Sequence, residues 1–148
     1  TYSAHPASLL TGKTMVQHLV DHKAEIYPRI AALGKQTRSI FESTFAEEGI
    51  DVRCTGSISE VLPGQGSSAF MPHFPRQPEH RLIMPEDVFD PAICHVALSQ
   101  EALQLALLLE NVHVMHGHGA VSLAHTEADL VFLEDACRRV ARRFKPYL

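Results

Sequence analysis

The sequence predicts an α+β domain, a small, mainly antiparallel sheet covered by helices on one face. Three observations lead there. Four stretches carry apolar residues at helical spacing, two apolar runs flank a glycine-rich turn as in a hairpin, and two further short apolar runs lie late in the chain. The order is two helices, a hairpin, a helix, two strands and a helix, with no internal repeat or low-complexity segment.

Residues 6–22 form the first expected helix. Pro6 stands where its missing N–H is harmless, and Leu9, Leu10, Met15, Val16, Leu19 and Val20 make an apolar stripe. The second, over 25–47, carries Ile26, Ile30, Leu33, Thr37, Ile40, Phe41 and Phe45, with Pro28 near its start and Gly49 past its end. Strands over 51–55 and 68–74 enclose the Leu62-Pro-Gly-Gln-Gly-Ser-Ser68 turn and form the hairpin. That turn is no phosphate loop, since it lacks Gly-Lys-Ser/Thr. Residues 72–91, broken by Pro72, Pro75, Pro78, Pro85 and Pro91, read as a long loop, either a substrate lid or an insertion. Ser99 is expected to cap a helix through Glu110. Strands over 112–115 and 120–124 join through His116-Gly-His-Gly119. The last helix runs over 127–144, with Thr126 as N-cap, Glu127 and Asp129 in its first turn, and Leu130, Leu133, Cys137 and Val140 on one face.

Length and composition suit one domain: 148 residues, 45% hydrophobic and 20% charged. A net charge of −4 argues against a nucleic-acid partner. The basic group Arg138, Arg139, Arg142, Arg143 and Lys145 reads as a complement to the carbonyl end of the last helix. Cys54, Cys94 and Cys137 are odd in number and widely spaced, which argues for a reducing compartment, with cytoplasm the default. No apolar run reaches ~18 residues and no signal-peptide pattern opens the chain, so no membrane partner is expected. A start at Thr1 rather than Met is read as a processed or trimmed end.

Three motifs in order carry a resemblance. Thr1-Tyr-Ser-Ala-His-Pro6 leads into a long helix, Gly49-Ile-Asp-Val-Arg-Cys-Thr-Gly56 precedes the strand over 70–74, and Ser122-Leu-Ala-His-Thr-Glu-Ala-Asp-Leu130 precedes the last helix. Together they resemble the C-terminal part of class III pyridoxal-phosphate-dependent aminotransferases, closest to the glutamate-1-semialdehyde aminomutase branch. The resemblance spans the whole chain, read as one C-terminal small domain over 1–148 that includes the linking helix. It implies a dimeric fold-type I enzyme that transfers an amino group between an amino donor and a carbonyl acceptor, with pyridoxal 5′-phosphate bound to a lysine.

By the same resemblance, that lysine and most of the phosphate cup belong to a large domain upstream of Thr1. None of Lys13, Lys23, Lys35 and Lys145 falls at the Schiff-base position. The chain alone is therefore expected to be inactive and not to hold the cofactor. Its partners would be the large domain of the same polypeptide, a second subunit and a small-molecule amino substrate. One role carries over: Thr1, with Ser3, would hydrogen-bond the cofactor phosphate of the neighbouring subunit. Two departures stand out. His5 replaces the family's Asn before Pro6, and Gly117 stands where the aminomutase pattern has a substrate-site Glu, which argues against a strict aminomutase.

Other readings of the same residues remain open. The chain could be a freestanding, non-catalytic binding or dimerisation module descended from such a domain. More weakly, His113, His116 and His118 ahead of His125 suggest a His-rich metal protein, but the pattern lacks a second ligand cluster. His125 reads as fixing the strand-to-helix turn, and Cys94 and Cys137 as buried fillers rather than nucleophiles. Without a large domain, the first helix should expose apolar surface and promote self-association.

Overall fold

A computed structural model of the chain describes residues 5–56 and 66–148. Helix α1 spans Pro6–Asp21 and α2 spans Lys23–Ala46. Strands β1 (Arg53–Thr55) and β2 (Ala69–His73) follow, then the short helix α3 (Pro85–Phe89). A π-helical turn, Leu98–Ala102, runs into α4 (Leu103–Leu109). Strand β3 (Gly119–Ala120), helix α5 (Glu127–Phe144) and a closing 3₁₀ turn, Lys145–Tyr147, complete the chain. The architecture is α+β, as expected.

His5 caps α1, its Nδ1 accepting the Ser8 N–H at 3.3 Å, so the imidazole does the work of a capping Asn. Only His22, at φ −109° and ψ 15°, separates α1 from α2. Among the described residues, none on α1 is buried, and Leu9, Leu10, Met15, Val16 and Val20 are 55–66% exposed. Helix α2 differs: Leu33, Thr37, Phe41 and Phe45 are buried along one face. Because α2 begins at Lys23, Pro28 lies inside the helix rather than in its first turn. It removes a hydrogen bond to the preceding turn, a cost of about 3 kcal/mol that packing further along the helix must offset.

Helices α2 and α4 end the same way. Gly49, at φ +80°, donates to the Ala46 carbonyl at 2.9 Å, and Ile50 donates to that of Phe45 at 3.0 Å. Asn111, at φ +61°, donates to Leu108 at 3.0 Å, and Val112 to Leu107 at 2.9 Å. Each is a Schellman ending, one with glycine and one with asparagine in the left-handed position. Ile50 with Phe45 and Val112 with Leu107 belong to the same apolar cluster, which supplies the usual contact across such a cap.

The sheet has the order β1-β2-β3 and is antiparallel throughout. Arg53 faces His73, Cys54 faces Pro72 and Thr55 faces Met71; on the other side Ala69 faces Ala120 and Phe70 faces Gly119. Proline in a central strand needs an explanation. The Cys54 N–H points outward to Glu42 Oε1 at 2.9 Å, so Cys54 and Pro72 form a non-hydrogen-bonded pair. The missing Pro72 N–H therefore costs the β1–β2 ladder nothing.

One face of the sheet carries the core. Phe70 stacks on Phe41 at 5.2 Å, and Phe45, Phe74 and Phe144 meet at centroid distances of 5.6–6.2 Å. Leu103 and Leu107 of α4 and Val140 of α5 close this cluster, so α2, α4 and α5 all cover the same side. On the other side Arg53 donates to the Pro78 and His80 carbonyls, which places the segment after β2 against the sheet.

Three expectations need correction. Ser99 does not cap a helix: it lies buried in the π turn, where the widened backbone lets the Gly117 segment approach its carbonyl. The strands expected over 112–115 and 120–124 shrink to the two residues of β3 and a single Met115–His118 pair. The pair closes a two-residue turn in which His116 and Gly117 have φ of 50° and 74°, a type I′ geometry, and no room remains for a longer ladder. The 72–91 loop contains α3, capped by Asp87, whose carboxylate accepts the Ile83 and Met84 N–H groups at 2.8 Å. The basic residues Arg142 and Arg143 sit in the last turn of α5, as expected, and the group also reaches other helices. Arg139 and Arg143 bond Glu110, and Arg142 and Lys145 bond Glu48. Glu48 and Glu110 stand at the carbonyl ends of α2 and α4, where a carboxylate is disfavoured until a cation meets it. The 62–68 turn falls mostly outside the described residues.

Candidate functional site

The block before α5 forms a rigid corner beside a groove. The Val121 N–H donates to the Ser68 carbonyl at 3.1 Å and extends the β2–β3 pairing by one bond. At the turn, His125 Nδ1 accepts the Ser122 N–H at 3.0 Å and lies 3.1 Å from Ser122 Oγ. An accepting Nδ1 leaves the proton of the neutral ring on Nε2. His125 thus fixes the turn, as the sequence suggests.

Thr126 is the N-cap of α5, as expected, and forms a capping box with Asp129, whose Oδ2 accepts from the Thr126 N–H at 2.7 Å and from its hydroxyl at 2.8 Å. These two hydrogen bonds, helped by His125 nearby, hold the Asp129 carboxyl below the usual carboxylate range.

His113, His125 and Asp129 line a groove of about 230 Å³ whose apolar walls include Phe70, Leu130 and Phe132. Thr37 and Asn111 also reach it. The sequence gives Thr37 only as a position on the stripe of the second helix and does not mark Asn111, although an Asn just past an apolar helical run is a recognisable signal of a left-handed cap. The groove offers an oriented imidazole, a carboxylate and an apolar wall, an arrangement that suits holding a small molecule or a neighbouring segment. His116 and His118 are exposed at the hairpin tip, which is held by Gln104 Oε1 accepting the His116 N–H at 2.8 Å. Among the described residues, no three His, Cys, Asp or Glu side chains are grouped to hold a metal ion. The adjoining Gly117 is closely hemmed: a Cβ there would lie 1.8 Å from the Ser99 carbonyl oxygen, so no side chain fits at that position.

Thr1 and Ser3, the residues matched to a cofactor phosphate, lie outside the described residues. What the described residues offer does not fit pyridoxal phosphate. All four lysines are exposed, and Lys145 is taken by Glu48 at 3.0 Å, whereas a Schiff-base amine requires desolvation. Burial pushes the thiols of Cys54, Cys94 and Cys137 up, which disfavours the thiolate and a nucleophilic role.

Two buried polar groups stand apart from the groove. Arg38 on α2 donates to the Ser67 and Ala69 carbonyls at 3.0 and 2.8 Å, tying the helix to the entry of β2. His73 Nε2 lies 2.9 Å from Thr55 Oγ1, and burial lowers its pKa to about 4.

No family model matches the chain, and no curated protein matches it. A solved structure described as a transaminase with PLP (pyridoxal phosphate) bound does match, with a TM-score of 0.54 and 20% sequence identity. The likeness covers 82% of this chain and 24% of that one. The chain thus spans about a quarter of the transaminase chain it matches and has the fold of part of it.

Proposed function

We propose that this chain is the C-terminal small domain of a pyridoxal-phosphate-dependent aminotransferase of class III, related to the glutamate-1-semialdehyde aminomutase branch. The observation that carries the reading is the fold likeness, which takes in most of this chain and a quarter of a transaminase. The exposed stripe of α1 supports it, because an apolar face of that length is usually covered in the working assembly. The cofactor and its lysine belong, in this reading, to a large domain of the same polypeptide, in a homodimer acting on a small-molecule amino donor and acceptor. Bound there, pyridoxal phosphate supplies the electron sink for amino-group transfer. The residues of this chain have supporting roles: Thr1 and Ser3 hydrogen-bond the phosphate of the neighbouring subunit's cofactor. Among the described residues no helix is long and apolar enough to cross a membrane, and the three unpaired cysteines support a cytoplasmic setting.

Two measurements test this. The 148-residue chain mixed with pyridoxal phosphate should show no transaminase activity and no lysine adduct by mass spectrometry after borohydride reduction; an adduct at one lysine overturns the reading. In the complete polypeptide, Thr1→Ala should weaken cofactor retention roughly tenfold, the worth of one hydrogen bond to a charged group. Unchanged retention removes Thr1 from the site. A second reading, a freestanding module, draws on the core that α2, α4, α5 and the sheet close by themselves. Coding sequence for a lysine-bearing large domain ahead of Thr1 decides against it.

A further inference from the structure

We propose that His18 and His22 form a two-imidazole site for zinc(II) at the joint between α1 and α2. The residues are four apart at the end of α1, a spacing that puts both side chains on one helical face. Their rings lie 4.3 Å apart between centroids, inclined by 34°. A single ion bonded at about 2.0–2.1 Å to each ring reaches across that separation after a small rotation of the rings.

The chemistry of His22 is already set for ligation. Its Nδ1 lies 2.9 Å from the His18 carbonyl oxygen, and since a carbonyl only accepts, Nδ1 carries the proton and Nε2 keeps its lone pair. A ring N–H donated to a backbone carbonyl is the supporting bond that commonly fixes the tautomer of a metal-bound histidine. The His18 ring makes no hydrogen bond with the described residues and is free to turn. Both side chains are exposed, so an ion and the waters completing its shell have direct access. The neighbouring Asp21 Oδ1 accepts from Gln17 Nε2 at 2.8 Å, and the two imidazoles supply the nitrogen donors. Neutral nitrogen donors select late first-row ions over magnesium or calcium.

The location gives the site a consequence. His22 is the one residue between the two helices, and α1 has no buried residue to hold its direction. An ion bridging His18 to His22 fastens the last turn of α1 to the joint and fixes the angle at which the apolar stripe is presented. This inference is independent of the aminotransferase reading, since it uses α1 and the joint alone.

Zinc titration of the 148-residue chain by calorimetry at neutral pH tests it. One zinc per chain is expected, with no competition from millimolar magnesium. His18→Gln and His22→Gln should each raise the dissociation constant at least tenfold, while the His116→Gln/His118→Gln double variant should leave it unchanged. Amide exchange over residues 18–26 should slow on adding zinc in the parent chain and not in either single variant. Absence of binding at millimolar zinc, full binding by the His18→Gln/His22→Gln chain, or loss of binding in the His116/His118 variant overturns the proposal.

Discussion

Helices α1 and α5 both carry an apolar stripe on a polar background, and they end in opposite surroundings. Leu130, Ala136, Cys137, Val140, Ala141 and Phe144 of α5 are buried, whereas Leu9, Leu10, Met15, Val16 and Val20 of α1 stay in solvent. The difference lies in what the rest of the chain can reach. Helix α5 meets aromatic residues from α2 and the β2 segment, and its arginines meet Glu47, Glu48 and Glu110 on neighbouring helix ends. Helix α1 meets α2 only at the joint. An apolar stripe therefore records that a surface is to be covered, without recording whether the cover lies in the same domain.

Substitutions should separate the two regions sharply. Phe45→Ala, in the aromatic cluster beneath α5, is expected to cost about 3–5 kcal/mol in urea denaturation. Gly117→Ala comes next, at about 2–3 kcal/mol, because it adds a Cβ at positive φ against the Ser99 carbonyl. A loss as small as a few tenths would show that the hairpin tip is not held against the π turn.

His73 gives the body of the domain a pH dependence. Its folded pKa, about 4, lies below the ordinary 6.5, so the unfolded chain binds the proton more readily. Its contribution to stability is complete above about pH 6.5 and is lost as pH falls toward 4, with a magnitude on the order of 2 kcal/mol. Denaturation midpoints over that range should fall with acidification, and His73→Phe should flatten the slope. The lowered carboxyls of Glu48 and Glu110 act at more acid pH: their contributions are present above the ordinary carboxylate pKa and fade as pH drops through their folded values.

The smallest stability effect is expected on α1. Leu10→Ser with Val16→Ser should change the unfolding free energy by about 0.5 kcal/mol or less. The same pair should reduce self-association in sedimentation velocity. A destabilisation approaching that of Phe45→Ala would mean that α1 is packed after all.

Much of the body was legible beforehand because its signals are local. The Thr126 and Asp129 pairing, Gly49 after a helical run and the Phe41/Phe45 spacing each mark one element without help from elsewhere. The π turn at Ser99 was not legible, because the approach of the Gly117 segment, a tertiary contact, accompanies it. The expected strands over 112–124 exceed what forms because apolar runs of four residues do not reveal whether a partner strand is available. At the candidate site, the turn-fixing role of His125 was legible from its place between strand and helix. Thr37, by contrast, is distant in sequence and joins the groove through the fold.

Pro72 carries one more consequence. Past Phe70 the outer edge of β2 has no β3 partner, and in this pleat the residue whose N–H would face outward there is the proline. Whenever the hairpin forms ahead of the elements that flank it, that half-edge presents carbonyls but no donor. A second nascent chain cannot zip onto it as an added strand, so the sheet resists edge-to-edge aggregation while the domain is still assembling.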